Sequence, residues 1–275
     1  MKETLSCSQL AEMLGVSTTI VRRLEKEGII APDRNEENNY RRYGYEELDE
    51  LIRWNYLRSM GYQLPSVKRM TYACDSIKDI QSNVRAAKNE IVREILLNKE
   101  RLAAISKLES DLNHEMNEVF FESFSELCFL PYYDRDKGII FDAAARKQLG
   151  EWIGLFPIAY PIHCGTYKDG SWRFMQSGIV LQKDAAQRLR VCMNNADVIG
   201  EMNCLSVLFE TEEPIADDLE ACAPVRNRNA ERITEIMLKN GIRQFGDMYY
   251  RTLNRWVDEK TGIRRKMLKI CVKTE

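Results

Sequence analysis

Residues 10–30 read LAEMLGVSTTIVRRLEKEGII and contain two sets of apolar residues at helical spacing. Gly15 follows the first set, and Ser17 stands just before the second. Glycine commonly ends a helix, and serine is a preferred N-cap residue. The stretch therefore predicts a helix, a tight turn and a second helix. The apolar positions are Leu10, Met13 and Leu14 in the first helix and Ile20, Val21 and Leu24 in the second.

The predicted second helix has the residue types of a helix that enters the major groove of DNA. It begins with a capping serine and small hydroxyls, and two consecutive arginines follow. In helix-turn-helix proteins the N-terminal side chains of the second helix contact base edges. A short helix with two arginines is also common on solvated surfaces, so this helix alone does not decide the function. The candidate contacts to bases or phosphates are Ser17, Thr18, Thr19, Arg22 and Arg23.

A second candidate DNA contact follows Pro32, where the chain reads DRNEENNYRRYGYEEL. Asn39 can adopt the left-handed conformation that the tip of a β-hairpin wing requires. Tyr40, Arg41 and Arg42 are expected to contact phosphates, which fixes register without reading sequence. The tyrosines have a structural alternative as core anchors. We expect at least one of Tyr40 and Tyr43 to anchor the wing.

Length and charge limit the kind of binding that is expected. The chain has 275 residues, 44% of them hydrophobic, which is enough for two domains of a soluble globular protein. The 40 Lys and Arg residues nearly balance 42 Asp and Glu, and residues 1–70 hold eleven of each class. DNA binding therefore has to depend on where the basic residues lie.

Several classes of function are not expected. No apolar run approaches the roughly 18 to 20 residues of a membrane span, and the first residues lack the layout of a signal peptide, so a cytoplasmic protein is predicted. Eight cysteines lie far apart with no CxxC pair, and the chain has only two histidines, so neither a disulfide framework nor a zinc site is expected. His163 and Cys164 are neighbours on a predicted strand and point to opposite faces. We predict no catalytic site, no metal and no cofactor.

Residues 77–119 contain no glycine or proline and keep a three-then-four apolar spacing. At about 1.5 Å per residue, a continuous helix here would be roughly 65 Å long. Its apolar stripe needs a partner. The stripe consists of Ile77, Ile80, Val84, Ala87, Ile91, Ile95, Leu102, Ile105, Leu108, Leu112, Met116 and Val119.

The rest of the chain shows a strand, a helix and two strands, and then the same order again. The first set is predicted at 125–133, 141–153, 158–167 and 172–182, and the second at 203–210, 229–240, 247–256 and 265–272. This order predicts an α+β domain of two duplicated units, whose seam is a natural ligand site.

Aromatic residues of this region are candidates for an effector cavity that takes flat or lipophilic molecules. Each of them has the alternative of filling the core. Glu210, Glu201 and Asp197 are acidic candidates with less support. The predicted cavity residues are Tyr160, Tyr167, Trp172, Phe174, Phe209, Tyr249 and Tyr250, with Trp256 as a further candidate.

Residues 5–70 closely resemble the winged helix-turn-helix of the MerR family of bacterial transcription regulators. The resemblance includes the Val16-Ser17 opening, Arg22, Glu25, Gly28, Pro32, the Asn-Tyr-Arg-x-Tyr wing and the Gly61 to Lys68 entry to a further helix. The third region resembles the GyrI-like effector-binding domain of drug-sensing members such as the Bacillus multidrug regulator.

The resemblance implies a multidomain fold. It consists of an all-α winged helix-turn-helix over 1–75, a dimerisation helix over 76–119 that forms an antiparallel coiled coil, and an α+β effector-binding domain over 120–275. It further implies a homodimer on a palindromic operator in double-stranded promoter DNA. Binding of a small effector would distort an over-long promoter spacer so that RNA polymerase can use it. Two alternatives remain open: the C-terminal domain is a small hydrolase, or the protein is a ligand-independent repressor.

The chain departs from the family at several positions. Arg23 and Leu24 replace two tyrosines, and Asn39 replaces the wing glycine. Cys74 does not reproduce the cysteine set of metal-sensing members. Tyr249 and Tyr250 stand near the position where drug sensors place a buried glutamate, which weakens the inference of a cationic ligand.

Overall fold

A computed structural model of the chain shows two compact units, Met1–Ile95 and Leu96–Glu275. Because they are separate units, each is described by itself. The structure describes residues 4–36, 38–62, 76–140, 142–168, 171–212, 223–243 and 246–274. The predictions on Phe141, on Cys74 and on the helix entry after Tyr62 fall outside these residues.

The N-terminal unit begins with the predicted helix-turn-helix. Ser17 accepts a hydrogen bond from the backbone N–H of Ile20 at 3.3 Å and so caps the second helix, as predicted. Gly15 has a φ of 64° in the turn, and Asn39 has a φ of 55° at the tip of the wing. The elements are α1 (Cys7–Met13), α2 (Thr18–Lys26), β1 (Asp33–Arg34), β2 (Arg41–Arg42) and α3 (Tyr45–Ser59).

The core of this unit explains the roles of the wing tyrosines. Tyr43 is fully buried among apolar residues from the three helices, whereas Tyr40 is 71% exposed. The prediction that at least one tyrosine anchors the wing is confirmed. In α3 the apolar Ile52 and Tyr56 are exposed, whereas Trp54 is buried. The apolar spacing alone did not distinguish the buried face from its edges.

A long helix, α4, spans Ile77–Leu112. It ends seven residues before the predicted end, so the helical assignment of Met116 and Val119 is wrong. Asn117 adopts a left-handed φ of 65°, and Val119 begins a strand. The N–H groups of Asn113 and His114 already bond three residues back, to the carbonyls of Ser110 and Asp111, so the last turn of α4 closes before Asn117 is reached. The exposed apolar side chains of α4 are Ile77, Ile80, Val84, Ile91, Val92, Ile95, Leu102, Ile105 and Leu112.

The C-terminal unit is built on a nine-stranded antiparallel sheet. Eight strands follow the order β3-β9-β11-β10-β6-β7-β4-β5, and β8 pairs with β4. The strands are β3 (Val119–Phe124), β4 (Leu127–Asp134), β5 (Gly138–Ile139), β6 (Tyr160–Lys168), β7 (Ser171–Gln182), β8 (Asp197–Ile199), β9 (Met202–Glu212), β10 (Asp247–Val257) and β11 (Arg264–Lys273).

Three helices accompany this sheet: α5 (Ala143–Ile153), α6 (Lys183–Leu189) and α7 (Ala223–Lys239). Trp152 of α5 is fully buried with residues of β4 and β7, and Met237 of α7 is fully buried with residues of β9 and β11. The eight elements predicted in this region are all present with shifted ends. The sequence prediction missed β3, β5, β8 and α6.

None of the helices in the described ranges has the length and apolar character of a membrane span.

Candidate DNA-binding surface and ligand cavity

The first candidate surface is the outer face of α2. Thr19, Arg22 and Arg23 are exposed, and Thr18 is half-buried in the first turn. The hydroxyl of Ser17 already accepts the capping hydrogen bond, so its structural role is to fix the start of the helix. The exposed Thr19, Arg22 and Arg23 therefore lie on one helix whose start is fixed by this cap.

The wing contains a contact that the sequence analysis did not include. Arg41 Nε donates to both carboxylate oxygens of Glu25 in α2, at 2.9 and 2.8 Å. This hydrogen bond and the charge of Glu25 raise the pKa of Arg41 above its usual range. The pair ties the wing to α2. A phosphate contact by Arg41 stays a prediction, while the half-buried Arg42 lies opposite Asp33 in the hairpin.

The second candidate site is a cavity of about 340 Å³ in the C-terminal unit. It lies beside the central strand pair, where Tyr249 and Tyr250 of β10 are in register with Cys164 and His163 of β6. Tyr160, Tyr249 and Tyr250, three of the aromatic candidates from the sequence, line it, and their binding of an effector stays a prediction. The volume is at the small end of ligand pockets. Apolar and aromatic side chains make up much of the remaining wall: Ala103, Ala104, Phe124, Leu127, Ile158, Ile162, Val180 and Met202.

The other four predicted aromatics do not line this cavity. Phe209 is fully buried in the cluster that includes residues of α7. Trp172 donates from its indole N–H to the hydroxyl of Thr234 at 3.1 Å, and its ring packs edge-on against Tyr167. Phe174 stacks on Tyr133, with ring centroids 5.8 Å apart.

The further candidates of the sequence analysis are also elsewhere. Glu210 forms an ion pair with Arg265 at 2.7 Å, which occupies its carboxylate. Asp197, Glu201 and Trp256 are not among the residues that line the cavity.

The polar end of the cavity is a buried charge cluster that sequence reasoning missed. Lys269 is 3% exposed and donates to Asp111 Oδ1 and Glu122 Oε2, both at 2.8 Å. Lys107 contacts the same two carboxylates at 2.9 and 3.0 Å. Arg251 donates to Asp111 Oδ2 at 2.8 Å. The signal in the sequence is that the residues two positions before and after this lysine, Met267 and Cys271, share its face of the strand and are apolar.

The cluster holds its acids in the charged form. Burial alone would raise the pKa of Asp111, but hydrogen bonds and charge from Lys269 and Lys107 bring it below its usual range. The pKa of Glu122 is lowered in the same way, against burial, chiefly by Lys269 and with a hydrogen bond from Ser206. These shifts indicate that Asp111 and Glu122 are carboxylates paired with cations of the same chain.

His163 and Cys164 do not form a catalytic pair. Burial and the charge of Asp247 raise the pKa of the Cys164 thiol to about 12, so it is not a thiolate at neutral pH. His163 Nδ1 lies 2.6 Å from the hydroxyl of Ser177, and its ring stacks on Tyr250. This environment is that of a buried structural histidine.

We predict that His163 makes the stability of the C-terminal unit fall as the pH is lowered from about 6.5 to about 4. Burial and the charges of Lys266 and Arg255 lower its pKa from 6.5 to about 4. In this range the unfolded chain takes up a proton that the folded chain does not, so acid favours unfolding. Urea titrations at several pH values measure the effect. His163→Gln should flatten the profile, and equal profiles for His163→Gln and the parent would contradict the assignment.

The sequence of the N-terminal unit matches a known family. Residues 5–74 match the family described as MerR HTH family regulatory protein. The described part of this segment forms a MerR-type helix-turn-helix. The C-terminal unit is built mostly on the nine-stranded sheet. The family consists of regulators rather than enzymes, in agreement with the prediction that this chain is not an enzyme.

Individual relatives share parts of this chain. The HTH-type transcriptional regulator CueR of Vibrio cholerae is 28% identical over 91 residues, which are 33% of this chain and 66% of CueR. The type II methyltransferase M.Eco47II of Escherichia coli is 40% identical over 57 residues, 21% of this chain and 14% of that enzyme. A MerR-family transcriptional regulator from Bacillus cereus has a solved structure with a TM-score of 0.38 and 15% identity, covering 41% of this chain and 85% of that one.

Proposed function

We propose that the chain is a homodimeric MerR-type transcription regulator that responds to a small ligand. Two copies bind a palindromic operator in double-stranded promoter DNA, in the cytoplasm and within reach of RNA polymerase. The observation on which this depends is the capped α1–turn–α2 pair with a wing, in the segment that matches the MerR family.

The DNA-binding step is supported by the geometry of the N-terminal unit. The exposed Arg22 and Arg23 project from α2, whose start is fixed by the Ser17 cap. The Glu25–Arg41 pair holds the wing against the same helix, so that the two DNA-contacting elements are positioned together. The net charge of residues 1–70 is zero, so the positive potential that attracts DNA has to come from the local placement of these arginines.

The homodimer is supported by the exposed stripe of α4. Val84 and Ile91 are 45% and 42% exposed and lie seven residues apart, a spacing that suits a coiled coil. A helix that exposes a continuous apolar stripe is more stable when a second apolar surface covers it. We infer that the same helix of a second copy covers it in antiparallel orientation.

The ligand response is supported by the place of the cavity. Its wall includes Lys107 and Asp111 from the last turns of α4. A ligand that changes the contacts of these residues acts directly on the helix that continues into the N-terminal unit. Bending DNA costs about 1 to 6 kcal/mol, so the bound dimer has to favour the distorted promoter by a similar amount.

The duplication of the C-terminal domain belongs to the same proposal. In the order β9-β11-β10-β6-β7-β4, the strands counted inward from one end are β9, β11 and β10, and those counted inward from the other end are β4, β7 and β6. Along the chain the two sets run β9, α7, β10, β11 and, apart from the short β5, β4, α5, β6, β7. This supports two related strand-helix-strand-strand units of GyrI-like type that meet at the β10–β6 pair. The hydrolase alternative has less support, because burial keeps the pKa of the Cys164 thiol at about 12 and His163 Nδ1 lies 2.6 Å from the Ser177 hydroxyl rather than against a nucleophile.

We predict that Arg22→Ala weakens binding to the operator about tenfold or more, since a direct arginine contact is worth about 1 to 3 kcal/mol. Gel-shift titration on DNA from upstream of the gene encoding this chain measures the effect. Arg85→Ala, an exposed arginine in α4, removes the same charge and should leave affinity within about twofold. Equal affinities for the two variants would overturn the assignment of α2 as the recognition helix.

A further inference from the structure

The charge cluster at the cavity contains an excess of one positive charge. Lys107, Arg251 and Lys269 surround two carboxylates, Asp111 and Glu122. A further acid of the cavity wall, Glu100, is paired with Arg188 through two hydrogen bonds of 2.7 and 3.0 Å. An apolar cavity beside an uncompensated positive charge favours an anionic guest.

The two carboxylates are already paired with cations of the chain and use most of their acceptor sites. Asp111 accepts from Lys269 and Lys107 on one oxygen and from Arg251 on the other. Glu122 accepts from both lysines on Oε2, and from Ser206 on Oε1. A cationic guest would have to displace a lysine or arginine of the protein, which would then be left buried without its partner.

Arg251, by contrast, retains unused donors. A guanidinium has five N–H groups, and the described part of the chain engages one of them, through Nη2 and Asp111. The guanidinium carbon lies over the Tyr160 ring, 4.6 Å from its centroid, and this cation–π contact uses none of the N–H groups at the edge of the guanidinium. The Arg251 side chain is 18% exposed and lies in the cavity wall. Such an edge matches the two oxygens of a carboxylate.

The rest of the wall selects the body of the ligand. Phe124, Tyr160 and Tyr249 contribute aromatic surface. Burial raises the pKa of the Tyr160 phenol to about 12, so it is neutral at physiological pH and does not repel an anion. Aromatic walls and a volume of about 340 Å³ suit a small flat molecule.

We propose that the effector of this regulator is a small aromatic or lipophilic monocarboxylate, whose carboxylate binds the open edge of Arg251. The inference depends on the proposed ligand response and names the chemical class of the ligand. The sequence left the charge of the effector open, and the acids at this cavity are already paired with cations of the chain.

Isothermal titration of the intact chain with three matched probes tests this proposal. The probes are naphthalene-2-carboxylate, naphthalene-2-carboxamide and 2-naphthylmethylammonium, which share one body and differ in charge. The carboxylate should bind about tenfold or more tightly than the amide, and the ammonium should bind least. Equal or tighter binding of the ammonium would overturn the proposal, as would the absence of binding by all three.

Substitutions of Arg251 test whether the carboxylate of the probe binds at this residue. Arg251→Gln should weaken carboxylate binding about tenfold or more and leave the weak binding of the amide unchanged. Arg251→Lys, which keeps the charge and loses the planar edge, should give an intermediate loss. Arg255→Gln is the control, because Arg255 is exposed on the same strand. Loss of binding in the control but not in Arg251→Gln would contradict the site.

Operator binding by the same preparations distinguishes a wrong ligand class from a wrong proposed function. If the parent chain binds its upstream DNA but does not discriminate among the probes, the ligand class is wrong and the regulator assignment stands. If the parent chain does not bind that DNA, the proposed function itself fails.

Discussion

Replacing Lys269 with methionine is expected to lower the free energy of unfolding of the C-terminal unit by about 3 kcal/mol or more. Lys269 is almost completely buried and bridges Asp111 on α4 to Glu122 on β3. Methionine fills similar space but leaves two carboxylates in a low-polarity site with fewer cations. Because a buried charge without its partner is costly, the loss should exceed that of a hydrogen bond at the surface.

Urea denaturation of the intact chain, followed by tryptophan fluorescence, measures this change. Lys273→Met is the matched control, since Lys273 is exposed on the same strand and should change stability by no more than about 0.5 kcal/mol. A loss below about 1 kcal/mol for Lys269→Met would show that the cluster does not stabilise the fold.

The pH dependence of that loss provides an internal check. The pKa values of Asp111 and Glu122 are lowered in the fold from ordinary values of 3.8 and 4.5. Their contribution is therefore present above these values and is lost as the pH falls through the lower folded values. The difference between Lys269→Met and the parent should shrink below about pH 4.

The second large effect is expected from the exposed stripe of α4. The double substitution Val84→Asp and Ile91→Asp should convert the dimer to a monomer, because it places two negative charges on the surface that we infer to be covered. Operator affinity should then fall about 100-fold or more, since two linked half-site contacts gain roughly 10² to 10⁴ over one. Sedimentation velocity and gel-shift titration of the same samples measure both effects.

Ser82→Asp with Asn89→Asp is the control for this double substitution. These residues are also exposed and seven positions apart on α4, so the charge added to the helix is the same. The control should stay dimeric with nearly unchanged DNA binding. A stripe variant that remains a dimer with full affinity would place the dimer contact elsewhere.

The elements that were predicted well are those fixed by local chemistry. The Ser17 cap, the Gly15 turn and the left-handed Asn39 all follow from the conformational preferences of single residues. The apolar spacing also gave the order of helices and strands. The end of α4 was misjudged because the apolar spacing continues through Met116, whereas the backbone leaves the helix after Leu112 through three-residue turns at Asn113 and His114.

The cavity was only partly predictable because its chemistry depends on distant pairs. Lys269 meets Asp111 across 158 positions of the chain, and no local pattern reports that pairing. The aromatic candidates illustrate the same limit. Tyr249 lines the cavity and Phe209 is buried beside α7, although both are aromatic residues on apolar strands. Which face of a strand meets the cavity is set by the sheet order, which the sequence did not determine.

The most direct test of the central proposal is the mass of the protein bound to its own upstream DNA, measured by light scattering with size-exclusion chromatography. One chain has a mass of 32.0 kDa. We predict a complex that contains one duplex and twice this protein mass, and that forms on the upstream fragment in preference to a scrambled duplex of equal length. A complex with a single chain per duplex, or no preference between the two fragments, would contradict the proposal.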